Sequence, residues 1–244
     1  MGVQGKLTKS KMGYCMPVDA PAYARPPGYF KRARFIRFDY QTNADTASEI
    51  IPEQLCLMDP PTAALMFVEY PWSTAGSYRE AFLGVNVLYG DRPLFYACYL
   101  MLNKAGFGGR EVSGFPKKMG TVEFVEHDDI IGAYMERPNG IRICSGVMRP
   151  EQPLDMPADT ALSGVCTLRV IPSPVMGADP SLAELIQLES DYDNIELWSG
   201  PGNCSFTGAS VLDPWHKVPV VEMIAATYIV SDLSFKDAKI LETL

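Results

Sequence analysis

The chain has 244 residues, of which 47 % are hydrophobic and 20 % charged, a composition that excludes a disordered segment and suffices for a full core. Its net charge of −8 and pI near 4.8 exclude nucleic acid as a partner, because phosphate binding needs a basic surface. The six cysteines are scattered without a C-x-x-C, and no apolar run approaches the roughly 20 residues of a membrane span, so the expectation is a cytoplasmic protein with no disulfide framework and no membrane.

Residues 1–29 hold several Gly, Pro and Lys residues without a sustained period and read as an arm packed on the surface or on a neighbouring subunit. From residue 30 to 244 the pattern is a single β domain. Phe35–Tyr40, Ala63–Tyr70, Phe82–Tyr89 and Leu94–Leu102 are rich in aromatic and β-branched residues, as strands are. Thr121–Glu126, Ile130–Glu136, Ile141–Val147 and Val165–Ile171 follow, then Leu185–Leu188, Ile195–Trp198, Cys204–Val211 and Val218–Val230. Turn chemistry separates them at Tyr89-Gly90-Asp91, Pro138-Asn139-Gly140 and Ser199-Gly200-Pro201-Gly202, and Asn-Gly between apolar runs is a strong hairpin signal. One helix is predicted from a cap at Asp45-Thr46 to a stop near Pro52, and a second short one after Phe235. So many strands need covered edges, which predicts one closed or nearly closed antiparallel β architecture, a barrel or cone with a few short helices.

Familiar motifs are absent: there is no G-x-G-x-x-G, no P-loop and no G-x-S-x-G elbow. His127 and His216 are the only histidines, too few for a His-rich zinc site, and His127-Asp128-Asp129 reads as a turn between two strands. No metal and no cofactor is called for. The basic cluster Lys31, Arg32, Arg34 and Arg37 lies in an alternating apolar run and reads as a solvated strand face or a local anion site.

The segment that carries chemistry is Gly109-Arg110-Glu111-Val112-Ser113-Gly114-Phe115-Pro116-Lys117-Lys118-Met119-Gly120. Pro116 holds Phe115 extended, and the run leads into a strand at Thr121. Consecutive side chains on extended backbone point to opposite sides, so one lysine faces inward and the other away. An ammonium held among apolar groups is desolvated and loses basicity, which leaves a free amine able to attack a carbonyl.

At these residues the sequence resembles the acetoacetate decarboxylase family, whose signature is Arg-Glu, a short spacer, an aromatic, Pro and Lys-Lys. Two further segments fall in the family's order: Ser77-Tyr78-Arg79-Glu80 is similar to its Tyr-x-Glu, and Trp198-Ser199-Gly200-Pro201 to its Trp-x-Gly-Pro. The resemblance runs from about Pro21 to the C-terminus. It implies a Schiff-base role for Lys117, a cationic neighbour in Lys118, and positioning or proton transfer by Glu80. Activation of such a lysine by desolvation or by an adjacent cation comes with the resemblance, since the family is a standard illustration of it. Opposed side chains favour desolvation as the larger effect. Trp198 is either a pocket wall or a plain core residue.

The resemblance departs at two places. The family's carboxylate-binding arginine aligns with Ala33, leaving Arg32 and Arg34 on either side as candidates for that work, and a second acid is replaced by Met66 or a neighbour, with Glu69 nearby but out of register. The expected function is a lyase that decarboxylates a small 3-oxo acid through an iminium on Lys117. A pyruvate-dependent aldolase–dehydratase using the same lysine is the alternative, and a non-catalytic small-molecule binding barrel a further one. Relatives imply a homo-oligomer.

Overall fold

The computed structural model describes residues 2–155 and 164–244. Its elements begin with β1 (Gly28–Gln41), α1 (Ala44–Ser48), β2 (Cys56–Leu57), β3 (Thr62–Tyr70), β4 (Trp72–Ser73), β5 (Tyr78–Tyr89) and β6 (Arg92–Leu102). Helix α2 (Phe107–Glu111) precedes β7 (Lys117–Met119), β8 (Thr121–His127), β9 (Ile130–Glu136), β10 (Arg142–Met148) and β11 (Gln152–Leu154). The remainder is β12 (Val165–Ile171), β13 (Leu182–Leu188), β14 (Ser190–Ser199), β15 (Gly202–Phe206), β16 (Glu222–Phe235) and β17 (Lys239–Thr243).

The protein is mainly β, as its aromatic and β-branched runs imply. The pairing among the described residues follows two open paths, in which no closed barrel is found. A large sheet of 13 strands runs β11-β14-β16-β1-β3-β5-β6-β12-β13-β17, with β2, β4 and β7 attached to its side, and a smaller sheet of 4 runs β15-β10-β9-β8. The large sheet's ends, β11 and β17, are not partners among the described residues. Most pairs are antiparallel, but β6 pairs in parallel with both β12 and β7. The edge problem is met by stacking the sheets instead of closing one.

Period-two alternation divides the large sheet into two buried faces. Ile36, Phe38, Leu65, Phe67, Leu83 and Val85 pack with Val122, Ala133, Met135 and Cys144 of the small sheet. Gly146 in β10 sits directly over the Phe38 ring, where a Cβ would collide. On the other face Ala33, Phe35, Met66, Val68, Phe82, Leu100, Leu188 and Leu233 form a second core. A bulge at Cys98 in β6 reverses the strand's parity, so that Phe95 and Ala97 before it and Leu100 and Leu102 after it all reach this second core.

The predicted strands at Ala63–Tyr70, Ile130–Glu136 and Val165–Ile171 lie where expected, and so do the hairpin at Asn139-Gly140, whose Gly140 has φ +89°, and the turn at Asp128-Asp129. Three boundaries moved. The first helix is capped by the Asn43 side chain on Thr46 N–H instead of by Asp45. The stretches 207–211 and 218–221 are loops. The segment after Phe235 is strand β17, paired with β13, whose edge supplies it with backbone hydrogen-bond partners. All six cysteines are free. No helix among the described residues is long and apolar enough to cross a membrane.

Candidate active site

Lys117 begins the short strand β7, held in parallel register against β6 with Lys117 opposite Leu100, while Glu80 of β5 lies opposite Leu102 across β6. Both side chains point into the second core. Lys117 Nζ lies 3.4 Å from Glu80 Oε2, with the two side chains 10 % and 6 % exposed. The alternation expected of the lysine pair is present: Lys118 turns outward, 47 % exposed, and binds the Leu212 carbonyl and the buried carboxylate of Asp213, which Arg137 shares. The two amines therefore serve different neighbours.

Around the amine the walls are aromatic. Nζ stands 5.3 Å from the Phe115 ring centre and 5.6 Å from that of Tyr78, within cation–π range when the amine is charged. Tyr70 donates its hydroxyl to Glu80 Oε1 at 3.0 Å. Burial, and next the Glu80 charge, push the Tyr70 hydroxyl well above the usual phenol range, and burial does the same to Tyr78. Both stay protonated, so Tyr70 remains a donor that fixes the carboxylate's orientation.

Two glycines make room for the nucleophile. A Cβ on Gly106 would sit 2.9 Å from Lys117 Cδ, and one on Gly109 2.9 Å from both Cε and Nζ. The lysine side chain thus lies along the backbone of the turn that contains α2. Gly114, with φ +65°, makes the bend that returns the chain from α2 to Phe115.

A small cavity of about 50 Å³ contains this pair. Apolar side chains, Phe35, Met66, Val68, Phe82, Phe95 and Leu233 among them, supply most of its lining, with Ser190, Tyr192 and the two other tyrosines as its polar groups besides Lys117 and Glu80. Met66, where the resemblance expects a second acid, is an apolar wall. Ala33 is buried in the same core.

Three expected substrate-binding residues do not reach the cavity, and strand parity is the reason. Arg34 lies on the opposite face of β1 from Phe35 and is held by Glu69 and Glu126. Arg32 sits in the bulge between Phe30 and Ala33 with φ +52°, its side chain exposed. Trp198 alternates with Leu197, which packs on the cavity's core, and so faces away from it. Glu69 is likewise on the face of β3 opposite Met66 and Val68, bound by Arg34 and Arg79. Tyr70, Gly106 and Asp213 carried no motif, and Gly109 opened the lysine segment without any sign that it makes room for the amine. Only the i, i+2 spacing of Tyr78 and Glu80 foretold that those two share a face.

An amine and a carboxylate meeting in an apolar cavity on a mainly β scaffold mark a small-molecule enzyme site. The family model for acetoacetate decarboxylase matches residues 15–244. The chain belongs to that family and is a lyase. It is 30 % identical to a decarboxylase of Cochliobolus heterostrophus, over 93 % of this chain and 94 % of that protein. It is 28 % identical to an acetoacetate decarboxylase of Clostridium botulinum, over 92 % of this chain and 93 % of that one. A solved acetoacetate decarboxylase structure superposes with a TM-score of 0.89 at 22 % identity, covering 97 % of this chain and 99 % of the other, which shows the shared fold.

Proposed function

We propose that the protein decarboxylates a 3-oxo acid through a Schiff base on Lys117. The observation that carries this reading is the Lys117–Glu80 pair at 3.4 Å inside a cavity whose lining includes no other cation among the described residues. The neutral amine adds to the ketone carbon, and water leaves to give a protonated imine. The bond between the methylene and the carboxylate then breaks, carbon dioxide departs, and the electron pair moves into the iminium to form an enamine. Protonation at carbon and hydrolysis release the ketone and restore the amine. Glu80 is within reach to move protons at the nitrogen, and Tyr70 keeps it in place.

The same lining weighs against a pyruvate-dependent aldolase–dehydratase. Pyruvate keeps its carboxylate throughout a condensation, so that charge needs a lasting counter-ion, whereas decarboxylation removes the charge and is favoured by an apolar wall. Residues 1–29 serve as an arm on the β domain of 30–244, and a cytoplasmic homo-oligomer is expected, to be checked by light scattering. Borohydride reduction in the presence of acetoacetate, followed by peptide mapping, tests the mechanism. A reduced adduct on Lys117, lost in Lys117→Ala, is expected. Carbon dioxide release without any adduct, or an adduct on Lys118, would refute it.

A further inference from the structure

The nucleophile stands at the junction of two spaces of very different size. Room for one water takes about 10–15 Å³, so the inner cavity of about 50 Å³ admits only a few heavy atoms beside Lys117. On its other side Lys117, with Tyr78, Phe115, Leu188 and Phe235, also borders an outer chamber of about 610 Å³. Clefts of roughly 300–1,000 Å³ accept ligands far larger than a four-carbon acid.

The outer chamber is a built feature of this chain. The arm before β1 forms one wall through Tyr14, Tyr23 and Arg25, and α2 with the turn before it forms another. Tyr23 packs over Gly108, where a Cβ would come within 2.9 Å of its ring, and its hydroxyl binds Glu111. Burial and the Glu111 carboxylate push that hydroxyl above the usual phenol range, so the tie persists at working pH. The basic groups at the rim are already engaged: Arg25 over the Tyr14 ring, Lys236 on Asp191, and Lys104 on the Ala75 carbonyl. Phe107, at the chamber wall, is 57 % exposed. An apolar occupant would cover it.

Resting on the Schiff-base reading above, we infer that the preferred substrate is a 3-oxo acid with an extended apolar tail, seated with its ketone at Lys117 and its tail in the outer chamber. A tail of several methylenes fits only on the outer side, which leaves the short carboxymethyl arm for the inner cavity. The reaction is unchanged, with carbon dioxide lost from the carboxylate end and a long-chain methyl ketone released.

The test is a chain-length series of 3-oxo acids from 3-oxobutanoate to 3-oxododecanoate, assayed by carbon dioxide release with the full chain. Burial of each methylene should raise kcat/KM about two- to fourfold until the chamber is filled. Ala105→Trp and Ala238→Trp, each placing a bulky ring on the chamber wall, should both lower the ratio of long-chain to four-carbon kcat/KM. A flat or falling series, or an unaltered ratio in both variants, overturns the inference while leaving decarboxylation standing. Condensation of pyruvate with an aldehyde, with no carbon dioxide released from any member of the series, overturns the decarboxylase reading itself.

Discussion

Gly109→Ala separates the position of the nucleophile from the stability of the fold. The new methyl would lie 2.9 Å from Lys117 Cε and Nζ, where carbon atoms rest at about 3.5–4.0 Å. The backbone of α2 is held by Arg110 N–H on the Gly106 carbonyl and Phe115 N–H on the Gly109 carbonyl, so the flexible lysine tip gives way. It must withdraw by roughly 0.6–1.1 Å, and a misplacement of about 1 Å at a reacting atom costs on the order of 10²-fold in rate. Alanine meanwhile favours a helix over glycine by about 1 kcal/mol, so Tm should hold or rise. Carbon dioxide release from acetoacetate and a thermal melt on the same preparation read both quantities. Gly108→Ala, whose methyl meets the Tyr23 ring instead, should cost less in kcat than Gly109→Ala. Wild-type kcat in Gly109→Ala would refute the claim that the turn's backbone sets where the amine stands.

The other expectations concern charge and packing. Lys118→Ala should keep the borohydride adduct, because its amine serves Asp213 and the Leu212 carbonyl. It should lower stability by only about 1 kcal/mol, since Arg137 remains on Asp213, and loss of the adduct would show that the outward lysine is the nucleophile. Phe38→Ala removes a fully buried ring from between the two sheets and should cost about 3–5 kcal/mol in urea unfolding, a cost under 1 kcal/mol arguing against a packed interface there. Asp232, bound by Lys31, the Arg32 N–H and Asn194, is held down from about 3.8 to about 2. A carboxyl depressed in the folded state stabilises above its ordinary value, and that contribution disappears as pH falls from near 4 toward 2. Asp232→Asn should therefore flatten the acid limb of a stability–pH curve between those values, and an unchanged limb would place the acid sensitivity elsewhere.

The strands at Thr62–Tyr70, Ile130–Glu136 and Val165–Ile171 were legible because aromatic and β-branched runs need little context. The lysine pair was legible too: Pro116 and the following strand made the backbone extended, and extended backbone separates neighbours to opposite sides. What failed was parity over distance. A bulge of one residue turns every later side chain to the other face, and bulges occur in β1, β6 and β14. Nothing in the spelling of Phe30-Lys31-Arg32-Ala33-Arg34 says that a bulge begins there, so the arginines could be named as candidates but not aimed. The Phe235 tail became a strand for a related reason, since its partner β13 lies about fifty residues earlier in the chain.

By itself the sequence determined the β class and that the two lysines part to opposite sides, because each depends on neighbours within a few residues, while its three ordered motifs carried the family and, through it, Lys117. Tertiary structure decided that the described strands pair along two open paths, that Arg32, Arg34 and Trp198 stand outside the cavity, and that Tyr70, Gly106 and Gly109 position the amine and its acid. Those contacts join strands and turns far apart in the chain, and only the register between paired backbones sets which side chains meet.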